Sequence, residues 1–197
     1  MASPVQICNV ALTHLGESGL ISSISPPDGS VNAGYCATFY PVAKAEMLEL
    51  GNWQFATRRG TLAVTENDSG YYEYAYALPA NCLRVLKVIG PEDDEAGSSV
   101  VYETRNNIIY TDTEEAVCVY TANITDSTKF SPTFVTALSF LLAAYLAGPI
   151  IKGADGVKFA TAMREAAAAT TDRSLTVSSN SRSVTEDYTP SSILARR

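Results

Sequence analysis

Residues 131–149 read SPTFVTALSFLLAAYLAGP, and this stretch decides the fold. Ser131-Pro132 is typical of a helix start, because serine caps the first turn and proline fits its first position. Phe134 to Ala147 are almost wholly apolar, and Gly148-Pro149 is typical of a helix end. The predicted helix has about 16 residues, short of the ~20 that cross a bilayer. We therefore expect a buried core helix and no membrane contact.

On the C-terminal side, a second helical pattern follows this core helix. Asp155 is a candidate cap, and Val157, Met163 and the run Ala166–Ala169 continue the pattern to near Arg173. Residues 174–197 are Ser/Thr-rich with little apolar periodicity, so they cannot form a core of their own. We predict an extended C-terminal tail over 174–197.

The N-terminal side begins with two further helical patterns. Ser3-Pro4-Val5-Gln6 is a capping box with proline at the first helical position. Apolar residues and His14 recur at helical spacing until Gly16, namely Ile7, Val10, Ala11 and Leu15. The next helix spans about Val31 to Leu50 and ends at Gly51. Pro41 inside it is expected to kink or split the helix, because proline removes a backbone hydrogen bond.

Between the helical segments, residues 61–125 show the alternation of β-strands. Tyr72, Tyr74 and Tyr76 fall on one predicted strand face. Asn106-Asn107 suits a tight hairpin, because asparagine tolerates positive φ. The other strand candidates are Leu83–Ile89, Val100–Thr104, Ile108–Thr111 and Ala116–Thr121.

These patterns predict an α+β fold. Residues 1–60 and 126–173 form an antiparallel helical bundle, 61–125 an inserted antiparallel β-region, and 174–197 the extended tail.

Composition excludes several classes of protein. Hydrophobic residues make up 46% and charged residues 18%, which is typical of a globular chain. The formal charge is -7, from 14 basic and 21 acidic residues, which argues against conventional duplex-DNA binding. Residues 1–20 show no signal peptide, so we expect synthesis and assembly in the cytoplasm.

The sequence offers no clear catalytic constellation. His14 is the sole histidine, so a Ser/His or Cys/His pair would depend on it alone. Cys8, Cys36, Cys82 and Cys118 match no metal-ligand spacing, and we interpret them as buried thiols. No cofactor or metal is expected. Paired carboxylates, as in a glycosidase, remain the enzymatic alternative, with Glu17, Glu46, Glu49, Glu66 and Asp68 as candidates.

One long stretch carries a resemblance to a known family. The residues that carry it are Ala33, Cys36 and Tyr40, then Trp53-Gln54-Phe55-Ala56 with Arg58-Arg59, then Tyr74-Ala75-Tyr76-Ala77-Leu78-Pro79 with Asn81-Cys82-Leu83-Arg84-Val85, and finally Phe130-Ser131-Pro132-Thr133-Phe134. This pattern resembles the tail tubular protein A family, the head-to-tail adaptors (connectors) of short-tailed bacteriophages. The resemblance spans about residues 4–172 and rests on apolar and aromatic positions.

The resemblance implies a structural virion protein without catalytic activity. Family members form a ring, usually of twelve subunits, at the head-tail junction between the portal protein and the tail nozzle protein. DNA passes through the ring during packaging and ejection without specific binding. Trp53 and Phe55 are expected to anchor the junction of helices and sheet. Arg58 and Arg59 are candidates for contact with a neighbouring subunit, and a solvated surface role is the alternative. The alternative function is a phage-associated cell-wall glycan hydrolase that uses paired carboxylates.

Two sets of residues are candidates for contacts in such a ring. Acidic residues are expected to line the channel and keep DNA mobile, namely Glu92, Asp93, Asp94, Glu95, Glu114 and Glu115. The tail is expected to dock on the portal through apolar and arginine side chains, namely Arg182, Tyr188, Ile193, Leu194, Arg196 and Arg197.

Overall fold

A computed structural model describes residues 2–91 and 99–180. Within these ranges it contains four α-helices and two antiparallel sheets, so the fold class is α+β as predicted. The helices are α1 (Pro4–His14), α2 (Val31–Leu50), α3 (Pro132–Ile151) and α4 (Gly153–Asn180). A short 3-10 helix, Ser127–Lys129, precedes α3.

The capping box predicted for α1 is confirmed. The side chain of Ser3 accepts from the Gln6 backbone N–H, and the Gln6 side chain accepts from Ser3 N. The buried face of α1 differs in part from the predicted one. It consists of Ile7, Cys8, Ala11 and Leu12, whereas Val10 is 45% exposed. The Gly16 stop is confirmed, because Gly16 adopts a φ of 80° just after the helix.

Helix α2 has the predicted bounds but is not split by Pro41. Ser30 caps it, and the helix continues through Pro41 to Leu50. Pro41 is exposed on the helix surface.

Helix α3 is longer than predicted, because Gly148-Pro149 does not end it. The helix covers 20 residues and ends at Ile151, followed by Lys152 at a φ of 58°. A proline disfavours helical geometry in the residue before it partly through a clash with that residue's Cβ. Gly148 has no Cβ, so the helix passes through.

The length of α3 removes one argument against a membrane span. Its mean hydropathy of 2.0 and its 20 residues would suffice to cross a bilayer. However, the helix packs against α1, α2 and α4, and 56% of its apolar window is buried within the protein. This burial favours a core helix.

Helix α4 begins one residue after α3 and continues beyond the predicted end near Arg173. It reaches Asn180, so residues 174–180 are helical and not part of an extended tail. Two buried hydroxyl groups near this end bond to carbonyls of their own helix and so are not left without a partner. Thr171 donates to the carbonyl of Ala167 at 2.9 Å, and Ser174 donates to that of Thr171 at 2.7 Å.

The strands form two antiparallel sheets. The first has the order β1-β7-β4 and the second the order β2-β3-β6-β5. The strands are β1 (Thr57–Thr61), β2 (Ala63–Val64), β3 (Tyr74–Ala77), β4 (Cys82–Ile89), β5 (Tyr102–Arg105), β6 (Ile108–Thr111) and β7 (Val117–Ala122). The predicted boundary at residues 60 and 61 therefore falls inside β1, which pairs with β7 from Thr57 onward.

The tight hairpin at Asn106-Asn107 is confirmed. Both asparagines have positive φ, 52° and 63°, between β5 and β6. The tyrosine face is confirmed only in part. Tyr74 and Tyr76 lie on one side of β3 with ring centroids 6.2 Å apart, whereas Tyr72 lies before the strand.

One large core joins the helices to the sheets. Buried residues of α1, α2 and α3 belong to the same apolar cluster as Tyr76, Ile109 and Cys118 of the strands. In the described part of the chain, the β-region is thus packed onto the helices and not separated from them.

Candidate partner-contact surfaces

The two arginines predicted to contact a neighbour occupy different environments. Arg58 is half-buried on β1, and its Nη1 donates to the carbonyls of Phe55 at 3.0 Å and Thr57 at 2.8 Å. Its guanidinium group therefore stabilises the turn before β1. Arg59 is exposed, and neighbouring strand residues point to opposite faces. The structure does not bring the two side chains into one patch.

The predicted acidic residues Glu114 and Glu115 lie at one end of the second sheet. Both are exposed in the turn between β6 and β7, where Glu115 has a φ of 51°. Nearby, the Glu73 backbone N–H donates to Asp112 at 2.9 Å. The charge of Glu114, followed by burial and the charge of Glu73, raises the pKa of Tyr74. This sheet end is therefore strongly acidic.

The remaining predicted contacts lie outside the described residues. They are the acidic run Glu92, Asp93, Asp94 and Glu95, and the tail residues Arg182, Tyr188, Ile193, Leu194, Arg196 and Arg197.

His14 packs at the interface of α1 and α3. Its ring stacks on Phe140 with centroids 4.6 Å apart, and Nε2 lies 3.4 Å from Oγ of Ser139. Ser139 is buried and donates to the carbonyl of Thr136 at 2.7 Å, so its hydroxyl is not open to a substrate. Burial lowers the pKa of His14. The arrangement is that of a packed ring.

The four cysteines are free thiols, three buried and Cys82 half-buried. A hydrogen bond with Cys36, together with burial, raises the pKa of Cys8, so this thiol stays protonated. Burial raises the pKa of Cys118 to about 12. Sequence spacing could not show that Cys8 and Cys36 meet across α1 and α2. Among residues 2–91 and 99–180, no group of three or more His, Cys, Asp or Glu side chains could hold a metal ion.

Three of the five carboxylates proposed for a glycosidase have hydrogen-bond partners, each at a separate place. Glu46 accepts hydrogen bonds from Tyr145 and Arg164, Glu17 accepts from Asn32, and Asp68 accepts from Tyr110 at 2.5 Å.

The side-chain network around Glu46 was not predicted, because its members come from three helices. Tyr145 of α3 and Arg164 of α4 both donate to the Glu46 carboxylate of α2, Arg164 at 3.3 Å. The guanidinium carbon of Arg164 lies 4.9 Å from the centre of the Tyr145 ring. Beside the network, an open groove of about 490 Å³ runs along the turn between α3 and α4.

Aromatic residues from two distant stretches form one cluster below β1. Phe134 contacts Trp53, Phe55 and Phe130 edge-on, with centroid distances of 4.9, 5.0 and 4.8 Å. Trp53 is buried, and its Nε1 donates to the carbonyl of Met47 at 2.8 Å. The cluster lies where α2 and α3 meet the first sheet.

No protein-family model matches this chain, and no match is found among the curated proteins.

Proposed function

We propose that this chain is a non-enzymatic subunit of a ring that joins the portal of a short-tailed phage to its tail nozzle. In this proposal α1 to α4 form an antiparallel helical bundle that carries the sheets as an insertion. The ring, of about twelve subunits by family resemblance, lies at the head-tail junction of the virion. DNA passes through it without specific binding.

The observation that carries the proposal is the aromatic cluster. Trp53-Gln54-Phe55-Ala56 and Phe130-Ser131-Pro132-Thr133-Phe134 are two of the stretches on which the family resemblance rests, and they lie more than 70 residues apart. Their four aromatic rings meet at the junction of helices and sheet. In this proposal these residues serve packing, and the protein works through its shape.

The polar side chains support the same reading. His14, Glu46 and Asp68 each have partners within the chain, at separate places. The acidic sheet end, with Glu114 and Glu115, is suited to a surface that repels DNA phosphates. We propose that this end faces the channel.

The test is assembly with the partner rings. Light scattering after size-exclusion chromatography, of the protein alone and mixed with portal, is expected to show a ring of about twelve copies. A map of the assembled particle would then show whether acidic residues line the channel. A chain that stays monomeric in both samples, or a lumen lined mainly by Lys and Arg, would contradict the proposal.

A peptidoglycan-clearing assay separates the hydrolase alternative. We expect no clearing. Clearing that disappears on Glu46→Gln or Asp68→Asn, with the circular dichroism spectrum unchanged, would favour the glycan hydrolase instead.

A further inference from the structure

Two of the buried thiols meet where two helices pack together. Cys8 lies on α1 and Cys36 on α2, and both residues are fully buried within the same core cluster. The Cys8 thiol donates a hydrogen bond to the sulfur of Cys36. Two side chains capable of forming a covalent bond are therefore held together across the α1–α2 contact, and the function proposed above makes no use of them.

The shared hydrogen bond gives the two sulfur atoms different reactivities. It raises the pKa of Cys8 and lowers the pKa of Cys36, while burial acts to raise both. The thiolate is the nucleophile in thiol–disulfide exchange. Cys36 is therefore suited to attack first, and Cys8 to attack the mixed disulfide that results.

The other two cysteines are not placed for such a bond. On the ladder between β4 and β7, Cys118 lies opposite Val88, whereas Cys82 lies opposite Ala122. Four residue steps along β7 separate these two levels, which exceeds the ~7 Å between Cα atoms that a disulfide can span. They provide an internal control for the Cys8–Cys36 pair.

We propose that Cys8 and Cys36 form a reversible disulfide that fastens α1 to α2 when the protein meets a low-molecular-weight disulfide such as oxidised glutathione. The Cys36 thiolate attacks one sulfur of glutathione disulfide and releases one glutathione thiolate. The Cys8 thiolate then attacks the Cys36 sulfur and releases the second. The two protein thiols are oxidised, and glutathione disulfide is reduced to two thiols that take up the two protons.

The oxidant reaches the pair when α1 opens locally. This helix has 11 residues and buries only one face, formed by Ile7, Cys8, Ala11 and Leu12. Elements held by few buried contacts open without unfolding of the whole chain. Once the bond has formed, it restricts the chain between residues 8 and 36 in the unfolded state and so stabilises the folded one.

The virion would supply a setting for this change. A subunit that is made in the cytoplasm and then leaves the cell passes from reducing to oxidising surroundings, where disulfides persist. Only this setting rests on the proposed function, because the chemistry of the pair belongs to the single chain.

The first test identifies the bond in the folded protein. Cys82→Ser is the starting variant, because the half-buried Cys82 would react separately. After incubation with excess oxidised glutathione, we expect the intact mass to fall by two hydrogen atoms. Non-reducing digestion with a glutamate-specific protease cuts after Glu17 and so separates Cys8 from Cys36. The two peptides are expected to be linked to each other, with Cys118 still a free thiol.

The second test measures what the bond does to stability. The melting temperature of the oxidised Cys82→Ser protein is expected to exceed that of the same protein in dithiothreitol by about 5 °C or more. Adding Cys36→Ala should abolish this difference, whereas adding Cys118→Ala, another buried cysteine, should leave it intact. Each variant is compared with itself in the two conditions, so the packing cost of the substitution cancels.

The outcomes separate this proposal from the ring. If no Cys8–Cys36 linkage forms in the folded protein, or if it forms only in denaturant, the proposal is wrong. Equal melting temperatures of the oxidised and reduced proteins would also overturn it, because the bond would not fasten the helices. Neither measurement depends on assembly, so failure here leaves the ring standing, and a chain that forms no ring can still form the disulfide.

Discussion

The side chain of Trp53 restricts position 51 to glycine. It follows α2 directly beneath the indole ring of Trp53. A Cβ built there would lie 2.6 Å from Nε1 and 2.7 Å from Cε2 of that ring, closer than real contacts. The indole cannot move freely, because Nε1 donates to Met47 and the ring packs on Phe134.

We therefore expect Gly51→Ala to lower the free energy of unfolding by about 1–3 kcal/mol through overpacking. Gly34→Ala is the matched control. It lies inside α2 where a Cβ meets nothing within 4 Å, so it should stabilise the helix by up to about 1 kcal/mol. Urea unfolding at equilibrium measures both. Equal effects of the two changes would contradict the assigned contact.

His14 links stability to pH. Burial lowers its pKa in the folded chain, so below its unfolded value of about 6.5 the unfolded chain binds the proton more readily. The free energy of unfolding should therefore fall as pH decreases from 7.5 to 5. We expect a loss below about 1 kcal/mol, because solvent screens a part-exposed ring.

His14→Phe serves as the comparison, because phenylalanine keeps a ring against Phe140 but does not titrate. The unfolding free energy of the wild type minus that of His14→Phe should fall as the pH falls through this window, because only the wild type loses stability. A constant difference from pH 7.5 to 5 would show that the His14 pKa is not lowered.

At the scale of elements, the burial of α3 distinguishes a core helix from a membrane helix. Leu141 is 2% exposed on this helix, within the large core cluster. Leu141→Ala is expected to cost about 2–5 kcal/mol, because the surrounding side chains can only partly fill the cavity. Leu50→Ala is the control, since Leu50 is 56% exposed at the end of α2 and should change stability by about 0.5 kcal/mol or less.

These measurements are made in buffer without detergent. If α3 is a core helix, the purified protein remains in the aqueous phase when liposomes are added and sedimented. Sedimentation with the liposomes, or a negligible cost of Leu141→Ala, would favour a membrane-associated α3.

At the scale of the whole molecule, truncation tests what residues 181–197 contribute. Helix α4 continues to Asn180, so a chain truncated after Asn180 keeps every described element. We expect its free energy of unfolding to match the full chain within about 0.5 kcal/mol. If residues 181–197 dock on the portal, the truncated subunit should fold but fail to join portal to tail in an assembly assay.

Truncation after Arg173 is the contrasting variant. It removes Ser174, which is 5% exposed, and the last turns of α4, so it should be less stable than the full chain. Normal yields of infectious particles with the chain truncated after Asn180 would show that the tail is not needed for joining.

Local chemistry in the sequence determined the start of most helices and one turn. Ser3, Ser30 and Ser131 cap their helices, and Asn106-Asn107 forms the hairpin, because each of these depends on residues a few positions apart. Strands β4 and β6 followed from apolar and β-branched residues between turns. The α+β class was predicted because the spacing of apolar residues changes between the helical and the strand segments.

Only the tertiary structure decided where elements end and which side chains meet. The α3 helix continues through Gly148-Pro149 and α4 continues through Ser174, although the sequence pattern predicted an end at each place. Strand β1 exists because β7 pairs with it, a partner about 60 residues away. Glu46, Tyr145 and Arg164 likewise meet only when three helices pack together. Contacts between residues far apart in the chain leave no periodic signal, so the sequence alone could not show them.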